Sequence, residues 1–187
     1  ARNASAGCHH SARGVQSALL AIIAAGSALP TAAAQPVNRW RLIEIHPEGA
    51  RTDAGEVRSS WAHAAKRDAQ VGTFLSGPTQ NHRAAIWHGT PGSWLSLHPA
   101  ALGPEGISEA MDYAAGQTVG YVAFAEDRSL EHASLWTGTP ESWVDLNPPG
   151  ATDSLASGTD GIRQIGYARL NGFVHAGIWH GTAESFV

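Results

Sequence analysis

The chain has 187 residues, 43% of them hydrophobic and 15% charged, a balance that favours a packed globular chain and excludes a disordered one. Its formal charge of -4, with the few Lys and Arg residues scattered, leaves no basic stripe for a phosphate backbone and excludes nucleic acid as the expected partner. Seven Trp against three Tyr is an unusual ratio, and most of the Trp residues fall in repeated segments.

Residues 1–34 read as a signal-peptide-like segment. Arg2, His9, His10 and Arg13 precede an uncharged run of mostly Ala, Leu and Ile from Val15 to Leu29, and the small-residue stretch "PTAAAQ" offers a cleavage site before Gln35. The run is too short for a permanent membrane anchor. The expectation is a secreted or periplasmic bacterial protein with no stable membrane insertion after signal removal; an Ala-rich helix is the alternative. Cys8, the single cysteine, falls in this segment, so the remaining domain is expected to use no disulfide.

Residues 35–187 read as a three-module repeat domain. A degenerate strand, "LIEIHP", ends at Pro47. Three modules follow at a period of roughly 47 residues. Each begins with a Ser-x-Ala pair: Ser60 and Ala62, Ser108 and Ala110, Ser154 and Ala156. Next comes a glycine anchor at Val71-Gly72-Thr73, Val119-Gly120-Tyr121 and Ile165-Gly166-Tyr167. An "AAIW"-type strand then ends at Trp87, Trp136 or Trp179, and a second aromatic follows at Trp94, Trp143 or Phe186. "LSLHP" and "VDLNP" close the first two modules. Four short strands per module are expected: one after the Ser-x-Ala pair, one through the glycine anchor, the Trp strand, and the proline-ended strand. Val57 to Gln70 is compatible with a helix, but its alignment with the other two Ser-x-Ala segments favours strand or irregular structure.

Repeats of this length with four strands each predict an all-β fold, a β-propeller-like array of three four-stranded modules. Trp87, Trp136 and Trp179 are expected to build the core. Three modules are too few for a closed propeller. Dimerisation into a six-bladed ring, with the offset ends of two chains exchanging strands, is the preferred solution. A β-trefoil and a piece of a longer array are the alternatives.

The stretches "GYVAFAEDRSLEHASLWTGTPESWVDLNPPGA" and "GYARLNGFVHAGIWHGTAESFV" resemble the bacterial extracellular HAF-type repeats, in which a Gly-Tyr element leads to His-Ala-x-x-Trp and an Asp-Leu ending. His132-Ala133 and His175-Ala176 match that motif, whereas Arg83 takes the histidine position of the first copy, with His82 before it. The resemblance implies a secreted, propeller-like fold and no particular activity. It also makes His132 and His175 structural.

Four other histidines remain as candidates. His88 and His180 stand in equivalent "WHG" turns, and their convergence near a propeller axis would offer imidazole ligands to Zn, the basis of an alternative reading as a metal-dependent hydrolase. His46 and His98 stand in the "HP" turns. With Asp145, Trp94 and Trp143 they form the candidate ligand-binding set of a binding or assembly module, an aromatic beside Asp or Asn being the composition of a sugar site. Glu44, Ser96 and Asp145 occupy one repeated position, two before the His or Asn, from which they are expected to orient it. No G-x-S-x-G elbow supports a nucleophilic serine.

Overall fold

The structure, a computed structural model, describes residues 41–52, 55–125, 127 and 129–187. The signal-peptide-like segment and Cys8 lie outside the described residues. Arg41–Val187 forms one compact unit.

The unit is all-β, built of curled antiparallel sheets, with no α-helix among the described residues. The first sheet runs in the order β1 (Arg51–Thr52), β2 (Gly55–Ala65), β3 (Gln70–Ser76), β4 (Asn81–Trp87) and β5 (Leu95–Ser96). The second is β6 (Ile107–Ala114), β7 (Gln117–Ala123), β8 (Glu131–Trp136) and β9 (Val144–Asp145). The third is β10 (Ala151–Thr159), β11 (Gln164–Leu170) and β12 (Phe173–Trp179), against whose outer edge Val187 exchanges two backbone bonds with Ile178. Every strand pairs with its neighbour in sequence. The ladders of a trefoil would run between modules, whereas all of these lie within them.

Val57–Gln70 contributes a strand, as its alignment indicated, because the residues must face a neighbouring module as Ser108 and Ser154 do. The Ser-x-Ala pair lies inside the first strand of each module and not before it. The reason is that its side chains work across the gap between sheets. Opposite it, Gly72, Gly120 and Gly166 meet a bulge: a Cβ at any of them would stand 1.9 Å from the carbonyl oxygen of Trp61, Glu109 or Leu155. The hairpin from β11 to β12 is a two-residue turn in which Asn171 and Gly172 both take positive φ, the geometry that matches strand twist.

Sheets stack face to face. β6 of the second sheet lies over β3 and β4 of the first, and β10 of the third lies over β7 and β8 of the second. Trp136 joins Val71, Ala84, Ile86 and Leu97 of the first sheet in one buried cluster, and Trp179 joins Val119, Ala133, Leu135 and Leu146 of the second in another. Trp87 packs with Val57, Phe74 and the preceding Ile45. All three indoles are fully buried. The tryptophans of the repeated strand are therefore core, each reaching back toward the element before its own sheet.

The repeated "GT" turn has a local cause. Ser93, Ser142 and Ser185 each accept a hydrogen bond from the backbone N–H of His88, Thr137 or His180 at 2.8 Å, and each donates to the carbonyl of Thr90, Thr139 or Thr182. One serine thereby closes the turn that follows each buried Trp.

Candidate functional site: repeated clefts between turns

The proline-ended segment of one module is tied to the first strand of the next by side chains. His46 Nδ1 meets Ser60 Oγ at 2.9 Å, His98 Nδ1 meets Ser108 Oγ at 2.8 Å, and Ser154 Oγ donates to Asn147 Oδ1 at 2.6 Å. Ser108 and Ser154 also accept the backbone N–H of Ala84 and Ala133, both at 3.0 Å, from the sheet behind. The residue two before each His or Asn positions it: Ser96 accepts the His98 N–H at 3.3 Å, and Asp145 accepts the Asn147 N–H at 2.8 Å. Asp145 further holds His132 Nδ1 at 2.9 Å. Asp145 thus acts as a bracket for two neighbours, and His132 is one of them.

This clasp leaves a cleft beside each histidine. The first is lined by Glu44, His46, Pro47, Glu48, Pro91 and Trp94 and encloses roughly 360 Å³. The second is lined by His98, Pro99, Ala100, Pro140, Glu141 and Trp143 and encloses roughly 260 Å³. The two are the same construction: a His-Pro turn faces the Pro-x-Ser-Trp turn of the following module. The structure accordingly brings His46 to Trp94 and His98 to Trp143, in two separate clefts, while Asp145 belongs to the bracket described above. Both indoles are half-buried and held. Trp94 stands edge-on to Phe74 at 5.0 Å, and Trp143 donates its Nε1–H to Ser134 Oγ at 3.0 Å.

Two groupings escaped the sequence reading. In the first, Arg83 is 3% exposed and donates to the Gly106 carbonyl at 2.9 Å and to Nε2 of His98. Because a guanidinium only donates, His98 Nε2 must accept, which leaves its proton on Nδ1 for Ser108. A pocket of roughly 250 Å³ opens between Arg83, His98, Ser96 and Phe74. The departure of Arg83 from the repeated histidine was the available signal.

The second grouping spans all three sheets. His82 pairs with Glu109, and Tyr121 donates to the same carboxylate. Burial first, then the charge of Glu109, pushes the Tyr121 phenol far above its ordinary range. Burial, together with Glu109 and Asp153, also raises Glu131 above the ordinary carboxylate value. Arg169 balances Asp153 at 2.7 Å. These residues occupy positions that differ between modules, so no repeat could flag them.

His88 and His180 are exposed on equivalent turns of the first and third sheets, and His88 Nδ1 is 2.8 Å from the Asp68 carbonyl. Among the described residues no group of three or more His, Cys, Asp or Glu side chains is placed to hold a metal ion. None of the described helices is long and apolar enough to cross a membrane. A scan against protein-family models finds no match, and searches of curated proteins and of solved structures find none either.

Proposed function

We propose that the chain is a secreted or periplasmic, propeller-like binding module that holds a glycan, one sugar ring at each His-Pro/Trp cleft. The observation that carries the reading is the duplication of the cleft with its aromatic, its prolines and its acidic rim in the same places. The volumes lie at or below the small end of ligand pockets, so they suit a single ring or side chain and not a cofactor. The half-buried indoles of Trp94 and Trp143 offer an apolar face, and Glu44, Glu48 and Glu141 offer acceptors to hydroxyl donors. Equivalent shallow sites at regular intervals suit a polymer of repeated units, whose weak contacts add through effective concentration. The propeller-like arrangement is supported by three sheets of like topology stacked in like manner, and by the HAF-type resemblance of the repeats.

Titration with soluble β-linked hexose oligomers, followed by indole emission, tests this. Saturable emission change is expected, lost by half in Trp94→Ala or Trp143→Ala and entirely in the double variant. Binding that grows with oligomer length is expected as well. No response to any oligomer at millimolar concentration, or a response indifferent to both substitutions, would overturn the reading.

A further inference from the structure

We propose that the back of the third sheet is a joint for the front of the first sheet of a second copy, so that two chains close head to tail into a ring of six sheets. The proposal stands on the internal repeat and is independent of the sugar clefts. In the first sheet the back is Val71, Ala84 and Ile86; in the second it is Val119, Ala133 and Leu135; all six are buried. Their equivalents in the third are Ile165, Ala176 and Ile178. Ile165 is 52% exposed, where Val71 and Val119 are both 0%. Ala176 is exposed and Ile178 half-buried, and an open groove runs along the three residues.

Within the chain one kind of strand covers such a back. β6 and β10 do so, each bringing a Ser-x-Ala pair whose serine accepts the Ala84 or Ala133 N–H of the sheet beneath. A third strand of the kind exists in β2. Its Ser60 is half-buried and its Ala62 exposed, and His46 already orients Ser60 as His98 orients Ser108. The Ala176 N–H, the equivalent of Ala84 and Ala133, receives no side-chain acceptor among the described residues. Ser60 of a second copy is the matching group.

The segment before β1 points to the same occupant. Residues 43–47 repeat the proline-ended strands Leu95–Pro99 and Val144–Pro148 but join no ladder of their own. In those strands Leu97 and Leu146 donate to the carbonyls of Ala84 and Ala133 at 2.8 Å. On the third sheet Val187 holds only the first place of that strand among the described residues. Glu44, Ile45 and His46 of the second copy continue it, with the Ile45 N–H opposite the Ala176 carbonyl. Ile45 then lies over its own Trp87 as Leu97 lies by Trp136 and Leu146 by Trp179. Propellers close with about four to eight blades, and two copies of three sheets are the multiple that falls in this range. Such a contact joins unlike surfaces, so each copy contributes one head and one tail.

The test is light scattering of the full chain after gel filtration, with Ala62→Arg blocking the head and Ile165→Arg the tail. The wild type is expected at twice the 19.6 kDa of one chain. Each variant alone is expected at the mass of one chain, because both joints of its ring are damaged. An equimolar mixture is expected to regain the doubled mass through the one intact joint. A wild type that stays at the single mass at every concentration, an Ala62→Arg protein that remains double, or a mixture that fails to recover overturns the proposal. Amide exchange at Ala176 in the wild type, slowing at least roughly tenfold as the dimer forms, gives an answer that needs no variant.

Discussion

Ser108 holds two groups at once, the Ala84 N–H and the proton on His98 Nδ1, in a position from which water is excluded. Removing its oxygen strands two buried donors, and a stranded donor costs its desolvation without return. Ser108→Ala is therefore expected to lose about 2 kcal/mol, or roughly 4–8 °C in melting temperature. Ser60→Ala removes the equivalent oxygen from a half-buried place where it meets His46 alone, so in the dilute chain its melting temperature should scarcely move. Parallel thermal melts of the two variants check the contrast. Glu131 provides a test with the opposite sign. Its raised carboxyl value means that the folded chain binds this proton more tightly than the unfolded chain does. The favourable contribution is fully present below the ordinary value and is lost as pH rises through the higher folded one. Glu131→Gln, which stays neutral, should raise the melting temperature at pH 7 relative to wild type, and the gap should close near pH 3.5. A gap of the same size at both values would assign the effect to packing and not to charge.

At the scale of the strand, the glycine anchor and the bulge facing it are one device. The bulge brings the Glu109 carbonyl to where a side chain on Gly120 would begin, so a Cβ there meets backbone that cannot swing away. Gly120→Ala is expected to cost at least about 3 kcal/mol through overpacking, with loss of the β6–β7 ladder. Gly138→Ala, where φ is +96° but nothing stands near the new methyl, should cost about 1 kcal/mol from backbone strain alone. Urea midpoints for the two variants measure the difference. The period of Gly72, Gly120 and Gly166 was legible in the sequence because a steric demand of this kind permits a single residue type. The clasping serines were legible as positions but not as roles. Their partners lie a module away, on Ala84 and Ala133, and the sequence does not say which sheet each strand faces. The clefts were legible as a residue set, His46 and His98 with Trp94 and Trp143, but not as two pairs, because the pairing is made where successive modules meet. Glu109, Tyr121 and Glu131 left no trace in the repeat, since their environment arises from residues that differ between copies.

Across the molecule, burial should grade from sheet to sheet. The second sheet is covered on both sides, by the first and by the third, whereas the third is covered only on the side that faces the second. In a stacked array the stability of each unit is the sum of its own ladder and its interfaces with neighbours. The ladders of β7 with β8 and of β11 with β12 are continuous and of like length, so the interface decides any difference between them. At concentrations low enough to hold single chains apart, amides of β11 and β12 are expected to exchange with solvent at least roughly tenfold faster than those of β7 and β8. Ile165→Thr should leave this pattern unchanged, because Ile165 is mostly open to water, whereas Val119→Thr, at the equivalent buried place, should bring β7 and β8 to the rate of the third sheet. Equal protection of both ladders in the dilute wild type would mean that each sheet holds itself together. Stacking would then direct association without supplying stability. A gradient that follows the covered faces instead makes the open back of the third sheet the weakest part of the fold and the part that gains most from a partner.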